Sequence, residues 1–459
     1  MGKNTKEQQA TGNPMQEFSS STKIASVVIS EYNEKDELYN PFEYREKKNT
    51  NSDLGSLAHL LKSSLGTGIL AMPNAVKNGG LVVGGIGTIL IGVICAHCVH
   101  ILVRSSHVLC KRLKRPQMTY AETAEAAFLS GPKSLRPFAN ASRIFVNAAL
   151  CATYIGGSCV YIVFISTSIK QVADYRSGMN IPIRLYIVTL IPAVLLLGQV
   201  RNLKYMVPFS MAANASMMAG FAITLYYIFN GIEMSPDVRM VPYIQHFPTF
   251  LATVLFAIEG IGVVMPVENT MQNPQHFLGC PGVLNITMSI VVVLYAVLGV
   301  FGYLKYGEAV MGSITLNIPI QEELGQAVKM LIALAVLFTY GLQCFVPLDI
   351  IWNSMKDKCS HKYQGLCQIM LRICTVLFTV GVALLVPELE PFISLVGSVF
   401  FSILGVTIPA TVETISCWDG HLGAHKWRLW KNGFLVVFSL LALIFGSWIS
   451  VTDIIELYR

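Results

Sequence analysis

Long, nearly uncharged apolar segments recur along this chain between residues 54 and 451. A helix needs about 20 apolar residues to cross the ~30 Å hydrocarbon core of a bilayer, and none of these segments alternates like a barrel strand. The sequence therefore predicts an all-α integral membrane protein with about eleven transmembrane helices. The predicted spans are residues 54–76, 80–103, 140–169, 183–199, 205–229, 248–266, 281–303, 325–347, 366–386, 391–414 and 432–451.

The composition agrees with lipid as the main solvent. Charged residues make up 13% of the chain and hydrophobic residues 53%, whereas an average soluble domain carries about 25% charged residues. Basic residues are not interleaved with aromatic residues in a soluble segment, so nucleic acid is not an expected partner. Most cysteines lie in apolar runs and are expected to be buried free thiols, so we expect neither a metal site nor a cofactor.

The two ends of the chain are polar. Residues 1–52 contain no long apolar core, and we expect a disordered cytosolic tail there, with the transporter domain at 53–451. The loop after the second span is rich in lysine and arginine, including Lys111, Arg112 and Lys114, which favours a cytosolic N-terminus. An odd number of spans then places the short tail 452–459 outside or in a lumen.

Two spans contain a Gly-x-Gly sequence followed by proline. The first has Gly66 and Gly68 before Pro73, and the sixth has Gly260 and Gly262 before Pro266. Glycine costs roughly 1 kcal/mol and proline about 3 kcal/mol in a helix interior. The pattern therefore predicts that these two helices are discontinuous. The alternative is that glycine and proline are simply common in membrane helices.

The spacing of the two breaks predicts an internal repeat. They are five spans apart, and because five is odd, the two halves enter the membrane from opposite sides. A discontinuous helix opening each half is typical of a five-plus-five inverted repeat. The predicted repeats are residues 54–229 and 248–414, followed by an extra helix at 432–451.

Broken helices free backbone groups in the middle of the bilayer. Free N–H groups at the first break suit a carboxylate, and free carbonyls at the second suit an ammonium group. An α-amino acid carries both groups a few ångströms apart, and glycine lets a ligand approach the backbone closely. The predicted substrate-binding residues are Ser64, Gly66, Thr67, Gly68, Ile258, Gly260 and Gly262.

Ionisable side chains inside predicted spans are functional candidates because they are costly to insert. His59 lies seven residues before Gly66, which places both on one helix face about 10 Å apart along the axis. Histidine titrates near physiological pH, so His59 is a candidate for proton coupling; the alternative is a packing histidine. Glu259 is a second candidate, or a partner of Lys62, or a structural carboxylate. Lys62 could also extend its ammonium group towards the interface.

Several of these stretches resemble one transporter family. They are the run from His59 to Gly80, Ala96-His97-Cys98, the run Phe256–Gly262, and Pro266-Val267-Glu268-Asn269. The chain resembles the proton-coupled amino-acid transporters of the amino acid/auxin permease superfamily, and within them an insect branch. The resemblance covers residues 50–451. It implies an eleven-helix chain with the inverted repeat, symport of glycine, alanine or proline with a proton, and proton coupling by His59.

The expected function is thus proton-coupled symport of small neutral amino acids by alternating access, at the plasma membrane or a lysosomal membrane. Sequences typical of hydrolases and nucleotide-binding enzymes are absent, so an enzyme is not expected. Two alternatives keep the fold. One is proton-independent or sodium-coupled amino-acid transport. The other, of a different functional class, is an amino-acid sensor that signals to growth control through its cytosolic tail, with a growth-signalling complex at the lysosome as its partner.

Overall fold

The computed structural model describes residues 39–45, 50–64, 66–201, 207–231, 233–258, 260–356, 359–418 and 422–458. The secondary structure in these ranges is helical, with one isolated parallel β-bridge between Asn51 and Met271. The predicted all-α class is confirmed. Most of the predicted tail and Glu259 lie outside the described residues.

In the described residues, the first predicted repeat contains nine α-helical pieces. They are α1 (Asp53–Ser64), α2 (Thr67–Leu70), α3 (Met72–Gly79), α4 (Leu81–Leu113), α5 (Tyr120–Ser130), α6 (Ala139–Ser177), α7 (Ile183–Thr189), α8 (Ile191–Gly198) and α9 (Val207–Phe229).

The second predicted repeat and the last helix follow. They are α10 (Phe247–Ile258), α11 (Ile261–Asn269), α12 (Val283–Tyr306), α13 (Glu323–Met355), α14 (Gln364–Leu385), α15 (Leu389–Val396), a π-helical segment (Gly397–Thr407), α16 (Ile408–Ser416) and α17 (Trp427–Glu456).

Within the described ranges, nine helices are long and apolar enough to cross a membrane. The two remaining predicted spans are helical but divided. The first consists of α1, α2 and α3, and the fourth runs over Ile183–Gly198, where Pro192 lies in the first turn of α8. The prediction of about eleven transmembrane helices is therefore confirmed.

The helix α5 was not predicted. It lies between the second and third spans and has only 11 residues. A capping box begins it: the Glu122 backbone N–H donates to Thr119 Oγ1, and the Thr119 backbone N–H donates to a Glu122 carboxylate oxygen at 2.8 Å. Such reciprocal bonds satisfy two donors that have no partner within the helix.

Corresponding helices of the two halves pack against each other. The second span, α4, packs on the seventh, α12, and the third, α6, packs on the eighth, α13. The second and third pieces of the first helix, α2 and α3, pack on α10 of the sixth. This pairing is the arrangement expected of an inverted repeat.

The segment just before α1 is bonded to the end of α11. The Arg45 guanidinium lies 2.9 Å from a carboxylate oxygen of the buried Glu268, and His107 Nε2 lies 2.7 Å from the same oxygen. The Asn51 backbone N–H donates to the Thr270 carbonyl at 2.8 Å. Contacts of the membrane domain therefore extend to residues before 53.

Candidate functional site

The first helix is interrupted between Ser64 and Thr67. The helix α1 ends at Ser64, and Gly66 has an extended backbone with φ −97° and ψ −151° before α2 begins. Pro73 lies in the first turn of α3, where the missing N–H of proline is tolerated. The predicted break is present at the predicted glycine.

The sixth helix is interrupted at the matching place. The helix α10 ends at Ile258 and α11 begins at Ile261, with Gly260 between them at φ −149° and ψ 6°. Pro266 lies inside α11, where it removes one backbone hydrogen bond. Both discontinuous helices are thus confirmed; the candidate Glu259 falls in this break, outside the described residues.

The two breaks lie against each other. A Cβ placed on Gly68 would be 2.7 Å from Ala257 Cα, and a Cβ placed on Gly260 would be 3.3 Å from Ser64 Oγ. Residues at the first break therefore lie against Ala257, just before the second break, and against Gly260 within it.

Helix ends of opposite polarity meet at this contact. The piece beginning at Thr67 presents the N-terminal end of a helix, which carries partial positive charge. The helix ending at Ile258 presents C-terminal carbonyls, which carry partial negative charge. A zwitterion has the complementary pair of charges.

The first break differs from prediction in the use of its N–H groups. The Gly66 N–H donates to the Ser64 carbonyl at 2.9 Å, so it is not a free donor. The absence of a side chain at Gly68 serves close packing on the Ala257 backbone, not an open approach for a ligand. Gly66 is the more open glycine, because the nearest atom to its added Cβ is Ser63 O at 4.0 Å.

A cavity opens beside the two breaks. Its empty volume is about 530 Å³, including space open to the surroundings. Ser64, Ile258 and Gly260 line it at the breaks, and Thr287 of α12, together with Phe401 and Gly405 of the π-helical segment, completes part of the wall. Most other lining side chains are apolar. The cavity therefore offers polar groups near the breaks and an apolar wall elsewhere.

His59 and Lys62 lie on α1 with exposed side chains. The Lys62 ammonium donates to Ser210 Oγ of α9 at 2.7 Å. The expectation that His59 and Gly66 share one helix face does not hold, because α1 ends at Ser64 and the helical period stops there. His59 is thus placed on the piece of the first helix that precedes the break.

Sequence reasoning missed two tyrosines and the π-helical segment. A Cβ on Gly262 would lie 2.6 Å from Tyr154 Oη, so α6 contacts the second break closely. The Tyr295 hydroxyl of α12 donates to the Ser64 carbonyl. No periodicity or motif marks either tyrosine, and an apolar run does not distinguish a π-helix from an α-helix.

Comparison with known proteins gives a family match over most of the chain. The family described as transmembrane amino acid transporter protein matches residues 49–452. The chain is 42% identical over 420 residues to "Proton-coupled amino acid transporter-like protein pathetic" of Drosophila melanogaster, covering 92% of this chain and 89% of that protein. It is 26% identical over 412 residues to "Probable amino acid transporter skat-1" of Caenorhabditis elegans, covering 86% and 89% respectively.

A solved structure shares the fold. The structure titled "Inward facing conformation of Mhp1" aligns with a TM-score of 0.52 at 12% sequence identity, covering 90% of this chain and 92% of that one. At this identity the likeness concerns the fold alone. The shared fold agrees with the helix pairing described above.

Proposed function

Because this chain belongs to the transmembrane amino acid transporter family, we propose that it carries small neutral amino acids of the glycine, alanine and proline class together with protons. Transport proceeds by alternating access, in which one central site is opened to each side of the membrane in turn. The substrate lies at the two breaks, with contacts to Ser64, Gly66, Thr67, Ile258 and Gly260. Gly68 and Gly262 support this site, because they let the broken helices pack closely on Ala257 and Tyr154.

One observation carries the proposal: the two broken helices meet beside a cavity with ends of opposite polarity. The substrate carboxylate takes the end that begins at Thr67, and the ammonium group takes carbonyls at the end of α10. Both helix ends are part of the backbone, so they recognise what all α-amino acids share. The cavity wall then discriminates between side chains.

Substrate class is tested by competition for uptake. Glycine, alanine and proline should inhibit uptake of a labelled member of the class, whereas lysine and glutamate should not, because the described lining residues offer no charged partner. Strong inhibition by a charged amino acid would contradict the assignment to neutral substrates.

The proton is assigned to His59, with Glu259 as the next candidate. Moving one proton down a gradient of two pH units releases about 2.7 kcal/mol, and a membrane potential of 100 mV adds about 2.3 kcal/mol for each charge moved. Together these energies could sustain a substrate concentration ratio across the membrane of more than about three orders of magnitude. Coupling requires that His59 exchange its proton with one side at a time.

The test replaces His59 with glutamine and measures uptake against outer pH, at equal surface expression. Acid-stimulated, concentrative uptake should be lost, while exchange of substrate across the membrane persists. His361→Gln is the matched control, because His361 is an exposed histidine between α13 and α14, away from the breaks. A His59→Gln protein with full pH dependence would move the assignment to Glu259.

We further assign the N-terminus to the cytosol, the C-terminal tail to the opposite side, and the protein to the plasma membrane or a lysosomal membrane. The basic loop after the second span supports the orientation. Tags at both ends, probed in unpermeabilised cells expressing the protein at their surface, should reveal only the C-terminal tag. Two tags on one side would contradict an odd number of spans.

A further inference from the structure

The carbonyl at the end of α1 is held by a side chain from another helix. The Tyr295 hydroxyl donates to the Ser64 carbonyl, and Tyr295 is fully buried near the middle of α12. The last carbonyls of a helix have no donor within the helix. Tyr295 therefore supplies a donor at the residue where the first helix is interrupted.

We infer that Tyr295 is a positioning residue for substrate: its hydroxyl fixes the backbone of the first break in the conformation that binds the amino acid. The inference rests on the proposed site at the two breaks and assigns that site a supporting group that does not itself touch the substrate.

The hydrogen bonds at Ser64 explain how the break is fixed. Its carbonyl accepts from Tyr295 and also from the Gly66 N–H at 2.9 Å. A carbonyl oxygen has two lone pairs, so both are engaged. One bond ties the break to α12, and the other sets the turn of the chain just before α2.

The remainder of α12 follows the first helix past the break. A Cβ on Gly299 would be 2.8 Å from the Val76 side chain, and a Cβ on Gly302 would be 2.5 Å from Pro73. On the other side, Thr287 of α12 and Ser64 line the same cavity. The helix α12 packs on both α1 and α3, and Tyr295 lies between these two sets of contacts along α12.

A preformed break is favourable for binding because the ligand does not have to order it. Without the hydroxyl, the Ser64 carbonyl keeps one bond and the break can adopt other conformations, of which only a fraction bind. Apparent affinity falls by that fraction, whereas the bound protein still completes its cycle. The expected effect of losing the hydroxyl is therefore on KM more than on the maximal rate.

The test compares Tyr295→Phe with Tyr340→Phe in the full chain. Tyr340 is also fully buried, and its hydroxyl lies 2.9 Å from Thr379 Oγ1, between α13 and α14. Both variants lose one buried hydroxyl from a hydrogen bond. Uptake is measured against substrate concentration for the best-transported amino acid, with surface protein counted in parallel.

Tyr295→Phe should raise KM about tenfold, which corresponds to about 1.4 kcal/mol, with a maximal rate per surface molecule within a factor of two of wild type. Tyr340→Phe should leave KM unchanged. If both variants reduce the amount of surface protein and neither changes KM, the Tyr295 hydroxyl is structural only and the inference is overturned. The comparison holds for any transported amino acid, so a wrong substrate class leaves it intact.

A second measurement tests the inference even if the Tyr295→Phe protein reaches the surface poorly. Hydrogen exchange in the purified wild-type chain reports on peptides that cover residues 64–70. The inference expects protection there without ligand, with little further gain when the amino acid is added. Rapid exchange that becomes protected only with ligand would show that substrate, not Tyr295, orders the break.

Discussion

Gly68 is predicted to be far less tolerant of alanine than Gly66, although both belong to one Gly-x-Gly sequence. A Cβ at Gly68 would lie 2.7 Å from Ala257 Cα and 2.8 Å from the Ala257 carbonyl oxygen. Non-bonded carbon atoms attract best at about 3.5–4.0 Å, so the two backbones must separate by about 1 Å. Both atoms are backbone and cannot move away by changing a rotamer.

The expected cost of Gly68→Ala is about 1–3 kcal/mol, the usual range for overpacking a buried contact. Gly66→Ala brings its Cβ no closer than 4.0 Å to Ser63 O, and φ of −97° suits any residue. Replacing glycine by alanine at such a position stabilises the folded protein by about 0.4–1 kcal/mol, because alanine reduces the conformational entropy of the unfolded chain. The two substitutions should therefore change stability in opposite directions.

Thermal unfolding of the two purified variants in detergent, compared with wild type, measures this difference. Gly68→Ala should unfold at a lower temperature, and Gly66→Ala should unfold at the same or a higher temperature. Uptake then separates packing from binding, because Gly66→Ala protein should reach the surface in normal amount and any rise in its KM reports on ligand access. A stable Gly68→Ala protein beside an unstable Gly66→Ala protein would refute the packing contact with Ala257.

Two further predictions concern other close contacts. Gly397→Ala should strongly destabilise the protein, because the added Cβ would lie 2.0 Å from the Ala252 carbonyl oxygen. Gly405→Ala should be tolerated, because nothing lies within 4 Å of the added Cβ. Thermal unfolding of both variants checks this difference, and equal stability of the two variants would contradict it. Arg45→Ala should lower the free energy of unfolding by about 1.5–3 kcal/mol, because it removes the ion pair with the Glu268 carboxylate, whose side chain is only 1% exposed. Faster hydrogen exchange at the end of α11 should accompany the loss, and unchanged exchange there would show that this bond does not hold the segment.

The membrane helices were predictable because the bilayer sets their length and polarity. Within the described ranges, each of the eleven apolar segments coincides with helical residues, and both breaks lie at the predicted Gly-x-Gly sequences. The helix α5 was not predicted, because its 11 residues are too few to span a membrane and a capping box alone is a weak signal. The predicted span 183–199 is divided at Pro192. This span was predicted as one continuous apolar helix, without a break there.

The detailed geometry of the site was less predictable, because it depends on contacts between distant segments. Sequence reasoning assigned Gly66 and Gly68 the same role, yet Gly68 packs on α10 and Gly66 does not. The prediction that His59 and Gly66 share one helix face assumed a continuous helix, whereas α1 ends at Ser64. The bond from Tyr295 joins residues 231 positions apart, a separation that no local pattern reports.

The most direct test of the central claim is amino-acid-driven proton flux by the purified protein in liposomes. With a pH indicator inside the vesicles and no sodium present, adding alanine outside should acidify the interior, and an imposed inward proton gradient should drive alanine accumulation. His59→Gln protein should show neither effect. Accumulation of alanine that requires sodium, or that proceeds without any movement of protons, would contradict proton-coupled transport.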